Sequence, residues 1–141
     1  MGYAVGIVLA VVVYVFARLV GFDRDRAFYP TVAVVVASYY VLFAVMGGSS
    51  RALVLELLVM GGFVVLAVAG FKRRAWLVIA AIAGHGVQDF FHAGIVANSG
   101  VPVWWPAFCG SFDVVLGALL AGRYFAGSIF STAPKVSSVS A

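Results

Sequence analysis

A chain of 141 residues in which 65% of side chains are hydrophobic and 10% charged, with a mean hydropathy of +1.13, lies outside the range of water-soluble domains. Its net charge of +4 is dispersed: Lys72, Arg73 and Arg74 separate two apolar stretches, and Arg24 and Arg26 alternate with Asp23 and Asp25. No basic face interleaved with stacking aromatics is present, which argues against nucleic acid as a partner and leaves topology and lipid headgroups as the work of these charges. A single cysteine, Cys109, excludes an internal disulfide and a thiolate metal cage.

Five apolar stretches follow one another, at about 3–20, 30–46, 52–70, 75–97 and 107–125, each of the length that a bilayer core requires. The apolar runs are continuous rather than alternating, so helices satisfy their backbone groups in lipid and a barrel does not. The expected fold is an all-α integral membrane protein, a bundle of five transmembrane helices within one domain over residues 1–130. The first stretch lacks a basic leader and a small-residue cleavage site, and reads as a retained span. Pro30 suits a first helical turn, and Gly47-Gly48-Ser49-Ser50 makes a turn. Pro102, Trp104, Trp105 and Pro106 form a helix-breaking interfacial connector. Residues 131–141, small and polar with Pro134, read as a disordered cytoplasmic tail. No internal repeat of the inverted-transporter kind is visible.

Orientation follows from the basic residues. With the N-terminus outside, eight of the nine fall on the cytoplasmic side (Arg18, Arg24, Arg26, Lys72, Arg73, Arg74, Arg123 and Lys135), and only Arg51 lies outside. The positive-inside rule therefore predicts N-out and C-in.

The fourth stretch breaks the apolar pattern. Between His85 and His92 it carries two imidazoles, the Asp89 carboxylate and the Gln88 amide, and ionisable groups at such depth are functional suspects by default. At about 100° per residue, His85, Gln88, Asp89 and His92 share an arc of roughly 100° on one helix face. Gly84 and Gly86 remove bulk beside His85, so that a neighbouring helix or ligand can approach. Helical rise places Asp113 roughly 10 Å and Glu56 roughly 6 Å below the outer ends of their own spans, level with the histidines. Three helices thus contribute to one level in the outer half of the membrane. The ordinary alternatives are wet interfacial positions for Glu56 and His92, a packing hydrogen bond for Gln88, packing for Tyr39 and Tyr40, and a small core thiol for Cys109.

Two chemistries suit these residue types. His85, Asp89 and His92 at i, i+4 and i+7, with Asp113 or Glu56 completing the shell, offer the mixed ligands of zinc or non-haem iron. A bis-histidine haem is disfavoured, because both imidazoles leave one helix in the same direction. Without metal, a histidine beside a carboxylate holds or passes a proton near neutral pH.

The His85–Asp89–His92 helix, the connector with Pro102, Trp105 and Pro106, and Asp113 in the last helix together resemble a family of small multi-pass bacterial membrane proteins without known activity. Many of its members carry a further histidine where this chain has Ala93. The resemblance implies a bacterial inner (plasma) membrane location and no particular reaction.

The expected function is a membrane-embedded enzyme acting on a lipid or other apolar small-molecule substrate, such as a sterol-like, isoprenoid or acyl lipid. Its site is an outward-opening polar pocket of His85, Asp89, His92 and Asp113 with Glu56 at the mouth, and Phe90, Phe91, Trp104 and Trp105 at the entrance. The alternative is a small proton- or cation-handling or accessory subunit. Five helices enclose little interior, so a homo-oligomer or a place in a larger membrane complex is expected in either case.

Overall fold

The computed structural model describes residues 1–127; the tail expected at 131–141 lies outside them. Among the described residues there are five helices: α1 (Gly2–Val20), α2 (Phe28–Met46), α3 (Ser50–Lys72), α4 (Trp76–Ile95) and α5 (Trp105–Phe125), with a 3₁₀ turn at Phe22–Arg24. Among the described residues there is no strand. Each helix end falls within two residues of the apolar boundary read from the sequence.

Local chemistry explains these ends. Gly21 closes α1 in the left-handed conformation at φ 88°, which a side chain would resist. The Ser49 hydroxyl caps α3 by accepting from the Ala52 amide at 3.2 Å, satisfying one of the free first-turn donors. Pro106 lies in the first turn of α5, where its missing N–H costs nothing. It therefore starts the helix instead of ending the connector.

Four helices, α1, α2, α3 and α5, are long and apolar enough to cross a membrane. The same reach of length is present in α4, but its polar residues hold its hydropathy down. Large apolar side chains such as Val12, Leu58 and Val65 are more than half exposed, a surface that suits hydrocarbon and not water. Only 17% of the apolar window of α1 or α3 is buried, against 50% for α5. This makes α5 the central element and leaves α1 and α3 at the periphery. The closest pairings are α4 with α5, α1 with α5, and α2 with α3.

Small residues allow the α4–α5 contact. A Cβ on Gly86 would lie 2.8 Å from both Asp113 Cβ and the Val114 amide nitrogen. Gly117 lies equally close to Ala83. Gly84 has no such role, since a Cβ there would meet only the Phe63 ring edge, at 3.7 Å. Of the two glycines flanking His85, one sets the helix crossing and the other does not.

Gly86→Ala is expected to force the two helices apart at a cost of about 1–3 kcal/mol, the range for overpacking a filled site. Gly84→Ala should be close to neutral. Thermal unfolding of the detergent-solubilised variants, compared side by side, checks the contrast.

Candidate metal centre

The α4–α5 crossing carries the His85 imidazole against Asp113, with Nδ1 2.7 Å from Oδ2. One turn along α4, Asp89 Oδ2 lies 3.7 Å from the same Nδ1. One turn before Asp113 on α5, the Cys109 thiol points at the Asp113 carboxylate, 3.8 Å away. Ligand atoms of His85, Asp89, Cys109 and Asp113 lie within 4.8 Å of one another, and all four residues are buried.

The other polar residues form a second unit. His92 Nε2 lies 2.7 Å from Glu56 Oε1, and the Asn98 amide donates to that oxygen at 2.9 Å. Asn98 also donates to the Tyr40 carbonyl oxygen at 3.1 Å, so this connector residue ties α2 and α3 together. The expected five-residue shell is therefore divided: His85, Asp89 and Asp113 converge, and His92 and Glu56 pair with each other.

Tyr40 stands between the two units. Its ring stacks on His92 with centroids 3.9 Å apart and lies 5.9 Å from the His85 ring. Its hydroxyl faces Asp89 without closing a hydrogen bond. Tyr40 and Cys109, for which the sequence favours packing, are also members of this region, and Asn98 is the member that the sequence pattern does not single out. For Cys109, the one-turn spacing to Asp113 is the signal. For Tyr40 it is its depth on the second span, and Asn98 depends on tertiary neighbours and leaves no local pattern.

The expected open mouth is replaced by enclosure. His85 and His92 are 2% exposed, Glu56 and Asp89 1%, and Asp113 fully buried. Glu56 is thus a buried partner of His92, not a wet rim carboxylate. Trp105 turns inward onto Tyr39 and Phe43, at 4.8 and 4.9 Å between centroids, while Trp104, Phe90 and Phe91 remain on the exterior. Packing, not an entrance, is what Trp105 provides. Nor does Gln88 supply the packing hydrogen bond expected of it, since among the described residues its buried amide atoms have no partner.

Charge does not balance here. Three carboxylates (Glu56, Asp89, Asp113) and two imidazoles (His85, His92) are buried together. With both imidazoles charged, one negative charge is left over. Glu56 and Asp113 each have a histidine at 2.7 Å, so the remainder falls on Asp89. Neither oxygen of Asp89 has a hydrogen-bond partner among the described residues. A bare carboxylate in that setting is too costly to persist, and it requires a proton or a cation.

Because Asn98 and His92 both reach the same Glu56 oxygen, Glu56→Gln keeps an acceptor there and Glu56→Ala does not. The alanine variant is expected to lose about 3–5 kcal/mol, as on breaking a buried pair, and the glutamine variant clearly less. Denaturation of both in one detergent tests this ordering.

Compared with protein-family models, curated proteins and solved structures, the chain matches none of them.

Proposed function

We propose that this protein is a membrane-embedded metalloenzyme acting on a lipid or other apolar substrate, with five spans, an external N-terminus and a cytoplasmic C-terminus. The observation that carries the reading is the buried Asp89 carboxylate, which closes no hydrogen bond and shares the one His85 imidazole with Asp113, within the His85–Asp89–Cys109–Asp113 group. A divalent cation bound between Asp89 and Asp113 would neutralise both carboxylates and leave His85 as a neutral nitrogen ligand. One imidazole and two carboxylates are the hard and borderline donors of zinc or non-haem iron.

The spread of donor atoms agrees with a site that closes onto its ion. Nitrogen and oxygen bond lengths of about 2.0–2.2 Å place tetrahedral ligands about 3.3–3.6 Å apart. The 2.7 Å contact of His85 with Asp113 would open to that distance as the ion replaces the proton between them, and the wider separations would shorten. Three protein ligands with a free fourth position are the pattern of a catalytic ion, and His85, Asp89 and Asp113 would be those three, with the Cys109 thiol beside them. A bound ion of this kind supplies Lewis acidity. Tyr40 faces Asp89 with a hydroxyl that closes no hydrogen bond, a donor that could turn to the carboxylate when an ion binds. The apolar walls exclude water, so charges at the centre act on one another without the screening of bulk solvent.

A second reading, a proton- or cation-handling or accessory subunit, draws on the His92–Glu56 pair stacked against Tyr40. That arrangement continues the polar line from the centre along α4. A proton on Asp89 would balance the charge as well as a metal does.

Metal analysis of the purified protein separates the two. Stoichiometric zinc or iron is expected in the wild type and in His92→Ala, and its loss in His85→Ala and Asp89→Ala. A metal-free wild type that retains its fold would sink the metalloenzyme and favour the proton reading. A reporter fused to the C-terminus is expected to be active only in its cytoplasmic form, and activity outside would reverse the topology.

A further inference from the structure

An apolar slot of about 300 Å³ lies between α1, α2 and α5, and Cys109 forms part of its wall. Leu9 and Val35 stand at its rim and are 40% and 46% exposed, on helices apolar enough to cross a membrane. The slot therefore opens sideways, toward the medium that surrounds such helices, and not toward water. Along α2 its lining extends from Phe28 to Tyr39, which at the helical rise is about 16 Å. That is roughly half the thickness of a bilayer hydrocarbon core, or the reach of one leaflet.

The shape and position of this slot define its occupant. It is long, narrow and parallel to the helices, as an extended hydrocarbon chain is in a leaflet. Trp105 and Tyr39 close one end, and Thr31 is the only hydroxyl-bearing aliphatic residue in the lining. Beyond Phe28 and Thr31 the surface continues past Asp25, outside the helices. One turn from Trp105, near the closed end, Cys109 is the thin partition between the slot and Asp113.

We propose that the slot holds a single acyl or isoprenoid chain drawn laterally from the bilayer, with its reactive end against Cys109 and beside the His85–Asp113 centre. The inference rests on the metalloenzyme reading and deepens it, because it names the substrate's chain and its route. In this arrangement Cys109 lines the slot and separates the chain from the Asp113 carboxylate. Enclosure of the polar residues then ceases to be an obstacle, since a lipid chain reaches the centre without crossing water.

The test uses a fatty acid bearing a photoactivatable diazirine near its carboxyl end. It is added to the full-length protein in lipid nanodiscs, illuminated, and located by peptide mass spectrometry. Adducts are expected on α2 and α5 residues of the slot, Val36 and Phe112 among them, and should be lost in Val32→Trp, which fills it. Leu9→Trp adds its bulk at the exposed rim, where the fold has room, and should reduce the same adducts severalfold. Both variants are expected to keep the wild-type metal content. Adducts spread evenly over the outer faces of α1 and α3, or unchanged by either substitution, would overturn the proposal. So would crosslinks showing that a second copy of the chain covers the slot. Metal absent with slot adducts intact would refute the metalloenzyme reading alone, and metal present with scattered adducts would refute the slot alone.

Discussion

The hydrogen bond between His85 and Asp113 exists because Gly86 has no side chain. Asp113 is fully buried on the most enclosed of the membrane-length helices, where an unpaired carboxylate is among the most unfavourable groups a protein can hold. Its imidazole partner comes from α4, and α4 approaches only as closely as Gly86 and Gly117 permit. Backbone proximity and electrostatic need are thus the same constraint. In hydrocarbon, where apolar packing gives no hydrophobic advantage of one helix over lipid, close small-residue contact and interhelical polar bonds are the means by which helices associate. The α4–α5 pair uses both at one level.

The second pair extends this principle across the bundle. Glu56 on α3 is drawn to His92 on α4, and Asn98 after α4 reaches both α3 and α2. Helix α4 is consequently joined by polar bonds to neighbours on two sides. It is also the one helix whose own hydropathy falls short of the other four. Its place is fixed by specific partners, and α3, mostly exposed, is tied in through the single buried carboxylate of Glu56. Ser111 on α5 adds one more link by donating to the Tyr3 carbonyl oxygen at 3.1 Å.

Most of the helical layout is legible in the sequence, because runs of apolar residues bounded by charges, glycines and prolines leave little choice of where helices begin and end. The helical period also places His85, Asp89 and His92 on one side of α4, and all three are buried. What periodicity cannot supply is which partner each residue meets. His92 and His85 lie two turns apart on one face, yet they turn to α3 and α5 respectively, so a common face does not make a common shell. Tyr40 reads as packing because an aromatic in a span gives no polar signal, although its ring separates the two pairs. Trp105 reads as interfacial from its neighbours Trp104 and Pro106, but the helix starts a residue or two early and rotates its indole inward. Gly84 and Gly86 look alike in the sequence, and only the crossing geometry distinguishes them.

At the far end of the bundle, Arg123 of α5 is paired with Asp23 beyond α1 at 2.5 Å, while Gly6 of α1 nests against α5 near Ser111. Helices α1 and α5 are therefore fastened together at both extremities, whereas α2 associates chiefly with α3. The bundle is two sub-assemblies meeting along a seam, joined by aromatic rings near Trp105 and by the polar bonds of Glu56 and Asn98. A small rocking of one half against the other would widen or narrow that seam without unwinding a single helical turn. Shear between packed helices is a common form of protein motion, and here it would act where the wall beside Cys109 is thinnest.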